Sequence, residues 1–169
     1  IVVVSGAAMG VDAIAHQNSF PNTIAVVANG LDIHYPAVNI QLISKIEKEA
    51  CIISSYPPKT RARSYSFVER NEIVVALGEC LIVTQADIGS GSLRSVEYAL
   101  KMDKKIYVLP HRIGESEGTN LLLEKKLVTP IYNLDSFFES LGIGKKDPLL
   151  DPFLVFCNTN PSYDEAVDK

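Results

Sequence analysis

The chain has 169 residues, of which 47% are hydrophobic and 21% charged, and its formal net charge is −4. That length supports one ordinary domain with its own core, and no apolar run reaches a membrane span, which points to a soluble, cytoplasmic protein that does not engage a membrane. The acidic balance excludes a protein that coats nucleic acid through bulk charge, so any DNA binding has to be local.

Ile1–Val4 reads as a strand that begins abruptly and without an initiator methionine, which suggests a piece of a longer protein. It runs into Ser5-Gly6-Ala7-Ala8-Met9-Gly10 and then a helix over Asp12–Asn18. A glycine and serine turn before a helix leaves several backbone N–H groups at the positive end of the helix dipole, where anions collect. Asp12 and His16, four apart, share one helix face. They suit an acid–base pair or two metal ligands, or else a helix-start acid and a packed histidine. With no third ligand or nucleophile nearby in sequence, the second alternative is favoured.

Thr23–Ala28 is the second strand, and no acidic residue ends it to hold a ribose, so a standard dinucleotide site is not expected and no cofactor is assigned. The loop Gly30-Leu31-Asp32-Ile33-His34-Tyr35-Pro36 follows, with Tyr35 available either to stack on a base or to plug the loop. A helix over Val38–Glu49 leads to the strand Cys51–Ser54. Next comes Tyr56-Pro57-Pro58-Lys59-Thr60-Arg61-Ala62-Arg63-Ser64-Tyr65-Ser66-Phe67, which interleaves cations with aromatic rings. Lys59, Arg61 and Arg63 are candidate phosphate contacts, and Tyr65 and Phe67 candidate base stackers. Arg70, followed by Asn71, sits within the otherwise apolar helix Phe67–Leu77, whose N-terminal end is expected at the ligand edge.

The strand Cys80–Thr84 ends in a second anion-type turn, Gly89-Ser90-Gly91-Ser92, before the helix Ser92–Met102. Ser90 and Ser92 add hydroxyl donors, and Gly91 permits close backbone approach. Arg94 places a cation in the first helical turn, where the dipole disfavours it unless an anion is bound. Glu97 is positioned to pair with Lys101. The strand Lys105–Leu109 precedes Gly118-Thr119-Asn120, a helix start at which Thr119 or Asn120 can cap and Gly118 and Asn120 form a third wall of the site. The helix Asn120–Lys126, the strand Val128–Ile131 and a last helix over 134–141 follow. Gly142–Pro148 reads as a linker.

Short β-branched strands alternating with helices, without polar alternation, specify an α/β domain. It should be an extended Rossmann type with a mainly parallel sheet covered by helices on both faces. Residues 1–144 form this domain, and 145–169 a linker and the start of a truncated module. The three cysteines, Cys51, Cys80 and Cys157, read as buried free thiols, and no C-x-x-C pair is present to build a metal site. The basic stretch Lys59–Arg63 contrasts with an acidic Asp147–Lys169, so a basic pocket on an acidic domain is expected.

Taken in order, Ser5-Gly6-x-Ala8-x-Gly10-Val11-Asp12 with Ala15-His16, Gly30-Leu31-Asp32-x-x-Tyr35-Pro36-x-x-Asn39, Tyr56-Pro57-Pro58, Phe67-x-x-Arg70-Asn71, Ser90-Gly91-Ser92-Leu93 and Gly118-Thr119-Asn120 resemble the DNA-processing protein A (DprA/Smf) family over about residues 1 to 128. The resemblance implies binding of single-stranded DNA, homodimerisation, loading of the bacterial recombinase in natural transformation, and a winged-helix-like module after the Rossmann domain; double-stranded DNA is a further candidate partner. Met9, Gly89 and Glu72 stand where the family pattern carries cations. The rival is a lysine-decarboxylase-like phosphoribohydrolase of nucleoside monophosphates, matched in part by Arg70 and Gly91-Ser92. It needs a carboxylate just after the second turn, where this chain has Arg94 and Ser95, with Glu97 displaced onto another helix face. No catalytic residue is therefore assigned, and binding without catalysis is the expected activity.

Overall fold

A computed structural model describes residues 1–143. The chain divides into two compact units, Ile1–Pro130 and Ile131–Lys169. The first unit alternates strand and helix: β1 Val3–Ser5, α1 Val11–Ser19, β2 Thr23–Val27, α2 Ile40–Glu49 after a short 3-10 turn, β3 Cys51–Ser54 and α3 Ser64–Leu77. It continues through β4 Cys80–Val83, α4 Gly91–Lys101, β5 Lys105–Val108, α5 Glu117–Glu124 and β6 Thr129–Pro130.

All strand pairs are parallel, as continuous apolar strands require. They form two three-stranded sheets, ordered β1-β2-β3 and β4-β5-β6, where the sequence suggested one. The α/β architecture is as expected. Strand β2 shows why: Ala25 and Val27 alternate with Val26 along it, yet all are buried, so both its faces are covered. Ala25 and Val27 pack with Ile43 and Ile46 of α2, and the opposite side lies under α3. A second core joins Val83, Ile106 and Val108 of the other sheet to Val75 of α3 and to Val96 and Ala99 of α4. Helix α3 thus belongs to both halves of the unit.

Several boundaries moved. Helix α3 begins at Ser64, three residues before the expected Phe67, because the Ser66 hydroxyl accepts from the Arg63 N–H (3.3 Å) and closes the first turn. Helix α5 begins at Glu117 with Ser116 as its N-cap residue, so Thr119 and Asn120 lie inside the helix and do not cap it. Cys51 is exposed and Cys80 half-buried, so neither is the enclosed thiol expected of it; an edge strand leaves Cys51 uncovered.

In the second unit, α6 spans Leu134–Ser140, with the Asn133 side chain accepting from the Ser136 N–H at 3.0 Å as its N-cap. The expected linker, the truncated module and Cys157 lie outside the described residues. Among the described residues no helix is long and apolar enough to cross a membrane.

Candidate nucleic-acid interface

The loops that follow β1, β3, β4 and β5 leave the carboxyl ends of parallel strands, the ligand edge of such folds. They carry the residues singled out from sequence, but not all in the expected roles.

The β1–α1 turn already holds an anion, and that anion is Asp12. Its carboxylate accepts from the Ser5 hydroxyl (2.7 Å), the Gly6 N–H (3.2 Å) and the Ala8 N–H (3.1 Å). Across the turn, the Asn39 amide donates to the Ala7 and Ala8 carbonyls at 3.1 and 3.0 Å. A phosphate resting on Ser5 and Gly6 would have to displace the Asp12 carboxylate. That corrects the expectation of an open anion turn here, and the reason is local: the acid in the first turn of the helix folds back onto the N–H groups before it. Gly10, at φ 82°, stands in open space at the start of α1 and remains accessible.

Arg70 explains why position 6 is glycine. A Cβ there would lie 1.4 Å from Arg70 Nη1, so the guanidinium occupies the space a side chain would need. Arg70 is only 5% exposed and donates from Nη1 to the Val26 carbonyl at 3.1 Å, while its Nε has no hydrogen-bond partner among the described residues. Burial disfavours its charge and Asp12 partly restores it. Arg70 therefore ties α3 to β2 and fills the space over Gly6. Asn71 is half-buried beside it.

His16 is fully buried under the same turn. Its Nδ1 lies 2.6 Å from the Thr23 hydroxyl, which itself donates to the Val3 carbonyl at 3.1 Å. The hydroxyl has one proton to give, so His16 donates from Nδ1, and its Nε2, without a partner among the described residues, carries no proton. Desolvation lowers the imidazole pKa; Asp12 opposes that shift and Arg70 adds to it. Asp12 and His16 are thus the helix-start acid and packed histidine of the favoured sequence alternative.

The cationic loop makes the basic pocket. Lys59, Thr60, Arg61, Arg63 and Tyr65 line a cleft of about 480 Å³. Lys59, at φ 66°, is fixed by Asp32, whose two carboxylate oxygens accept its N–H at 2.8 and 3.0 Å. The Gly30 N–H donates to the Thr60 carbonyl at 2.9 Å. A Cβ on Gly30 would fall 2.6 Å from the Pro57 carbonyl oxygen, so the two loops meet backbone to backbone. Tyr65 is 53% exposed within the cleft. Tyr35, 48% exposed, leans against Phe67 with ring centroids 6.1 Å apart, and the Arg70 guanidinium lies 5.9 Å from the Phe67 ring. Of the three candidate stackers, Tyr65 lines the cationic cleft and Tyr35 and Phe67 contact each other.

The second glycine–serine turn is more open. Gly89 has φ 82°, and nothing lies within 4 Å of a Cβ built at Gly89 or Gly91. Gly91 and Ser92 are exposed, and Ser90, the N-cap residue of α4, carries a buried hydroxyl oxygen with no partner among the described residues. Arg94 pairs with Glu97 at 2.9 Å, both side chains being more than half exposed. The cation in the first turn is thus balanced by the chain itself, and Glu97 does not pair with Lys101, which instead lies 5.9 Å from the Tyr98 ring.

Gly118 and Asn120 hold protein. A Cβ on Gly118 would meet the Ala86 carbonyl oxygen at 2.7 Å. The Asn120 side chain accepts from the His111 N–H and donates to the carbonyls of His111, Arg112 and Glu115. Both therefore shape the wall of the site from behind. Asp32 and Asn39 brace the two neighbouring loops. Their partners lie 27 and about 31 residues away, and no spacing rule reaches that far.

A sequence profile for the family described as DNA recombination-mediator protein A matches residues 1–142. The chain is 35% identical over 146 residues to DNA processing protein DprA of Streptococcus pneumoniae, covering 82% of this chain and 52% of that protein. It is 37% identical over 154 residues to Protein Smf of Synechocystis, covering 88% of this chain and 38% of that protein. A solved structure of DNA processing protein A from Helicobacter pylori, described for its unique single-stranded DNA binding mode, aligns with a TM-score of 0.81 at 42% identity. That alignment covers 83% of this chain and 65% of the other. The chain spans about half the length of the first two curated relatives it matches.

Proposed function

Because the chain belongs to the DNA recombination-mediator protein A family, we propose that it binds single-stranded DNA through the cleft of Lys59, Arg61, Arg63 and Tyr65. The observation that carries this reading is that cleft: three cations and an exposed ring on one loop, set on an acidic chain. Cations spaced along a strand neutralise phosphates, and a ring gives a base a face to stack on without reading its sequence. The Gly89–Ser92 turn, exposed at Gly89, Gly91 and Ser92, supplies a second phosphate rest at the N-terminus of α4. Gly10 remains as a lesser contact.

At the scale of the whole protein, the proposed role is protection of incoming single-stranded DNA and assistance in loading the bacterial recombinase during natural transformation, by a cytoplasmic homodimer. Double-stranded DNA is the weaker ligand. The names of the relatives and the described DNA binding of the Helicobacter pylori protein support this direction. The phosphoribohydrolase alternative is disfavoured by Glu97, the nearest carboxylate after the second turn on α4, which is engaged by Arg94 on the helix surface.

Binding of a fluorescent oligothymidine by the wild-type protein and by the Arg61→Ser, Arg63→Ser double variant tests the cleft. Both side chains are exposed, so the variant is expected to fold and to bind at least tenfold more weakly. Equal affinity at low and at physiological salt would remove the cleft from the DNA path.

A further inference from the structure

Asp32 is an exposed anion set against the cationic loop, a place where charge alone would weaken a phosphate site. Its contacts give it a different part. Pro57-Pro58-Lys59-Thr60 is a tight turn, closed by the Thr60 N–H donating to the Pro57 carbonyl at 3.3 Å. The Pro58 ring keeps its own φ negative, and Lys59 has φ 66°, so the turn is of type II, whose third position ordinarily carries glycine or asparagine. The competing type I turn differs by a flip of the single peptide between Pro58 and Lys59, and would carry Lys59 to a φ of about −90°. The N–H of that peptide is the group Asp32 binds, with both carboxylate oxygens, at 2.8 and 3.0 Å. A flip would turn the N–H away and bring the Pro58 carbonyl oxygen toward the carboxylate, which repels it.

The loop that bears Asp32 is itself held in place. The Asn29 side chain donates to the carbonyls of Gly30 and Ile33 at 2.9 and 2.6 Å, and the Gly30 N–H donates to the Thr60 carbonyl at 2.9 Å. Two successive residues of the turn are thus gripped, Lys59 by its N–H and Thr60 by its carbonyl. In this conformation Lys59 lines the cleft with Arg61, Arg63 and Tyr65. We propose that Asp32 is a positioning residue for the bound strand: by selecting the type II turn it directs Lys59 into the cleft, so that an acidic side chain strengthens the binding of a polyanion. This inference rests on the single-stranded DNA reading and adds to it a residue that touches no phosphate.

The test measures oligothymidine affinity across a salt titration for the wild-type protein, Asp32→Ala, Asp32→Asn, Lys59→Gly and the Asp32→Ala, Lys59→Gly double variant. Asp32→Ala removes a negative charge and the grip on the turn together. It is expected to bind about fivefold more weakly and to flatten the slope of log K against log salt by about 0.7, the share of one lysine. Asp32→Asn removes the same charge but keeps an acceptor, and one amide oxygen suffices because both carboxylate oxygens take the same N–H. It is expected to recover wild-type affinity or to exceed it by up to about twofold. Glycine adopts φ 66° freely and has no side chain to direct, so in the Lys59→Gly background Asp32→Ala should change affinity by less than about twofold. Asp32→Ala binding at or above wild-type strength would mean that charge alone acts there, overturning the positioning role and leaving the cleft standing. Asp32→Asn as weak as Asp32→Ala, or an undiminished loss in the Lys59→Gly background, would overturn it equally. A wild-type protein that does not bind oligothymidine would overturn the DNA reading and the positioning role with it.

Discussion

Gly6 and Arg70 are one structural unit although 64 positions separate them in the sequence. The guanidinium fills the volume above Gly6, so Gly6→Ala forces a clash between a new methyl and a buried side chain, costing about 1–3 kcal/mol. Arg70→Ala leaves the Val26 carbonyl without its donor and opens a void, costing about 3 kcal/mol. The two effects should not add: with Arg70 already truncated, Gly6→Ala has room and becomes nearly neutral. Urea unfolding of the two single variants and the double variant measures this coupling, and strict additivity would deny the contact. His16 makes a second prediction at this scale. Its pKa is lowered in the fold, so below the ordinary value of 6.5 the unfolded chain takes up a proton that the folded chain refuses. Stability is therefore expected to fall as pH drops through that value, and the fall should be shallower in His16→Gln. Equal slopes in urea melts of both proteins between pH 7 and pH 5 would rule out His16 as the cause.

At the scale of elements, the loops at the ligand edge are shaped by side chains that face inward. Asp12 and Asn39 set the first turn, Asp32 sets the cationic loop, and Asn120 sets the loop after β5. The far end of α3 shows the same device. Lys104 donates to the carbonyls of Val75, Ala76 and Gly78, so one ammonium satisfies the last turn of a helix that serves both sheets. Lys104→Met keeps the stem and removes the charge, and is expected to cost about 1–2 kcal/mol. The cost should appear as a lower denaturation midpoint with an unchanged urea slope, together with faster amide exchange in the last turn of α3. An unaltered midpoint would mean that water caps those carbonyls as well as the lysine does.

At the scale of the molecule, the basic cleft lies on a chain of net charge −4, so bulk charge works against DNA binding while the local field favours it. Affinity for single-stranded DNA should accordingly be steeply salt-dependent. Each of Lys59, Arg61 and Arg63 that pairs with a phosphate contributes about 0.7 to the slope of log K against log salt. Removing one of them is expected to flatten the slope by about that amount for any base sequence. A slope indifferent to all three would place the phosphates elsewhere.

The alternation of short apolar strands with helices was sufficient to specify a parallel α/β domain, because strands covered on both faces must be apolar at every position whatever packs on them. The cationic loop was equally legible, since Lys59, Arg61, Arg63 and Tyr65 lie within seven residues of one another and a solvent-facing loop keeps its charges together. What the residues alone left open was direction. Arg70 reads as a ligand-edge cation on a helix, but its burial over Gly6 depends on where α3 crosses β1 and β2. Asp12 reads as a helix-start acid, but only the path of the turn brings its carboxylate back onto Gly6 and Ala8. Gly118 and Asn120 sit in a site motif, yet they spend their contacts on Ala86 and on the His111–Glu115 backbone. A sequence shows which groups could bind an anion. Whether they still can is decided by tertiary packing, because a buried donor or charge takes whichever partner the fold brings within about 3 Å, and leaving it unpaired costs more than any surface contact returns.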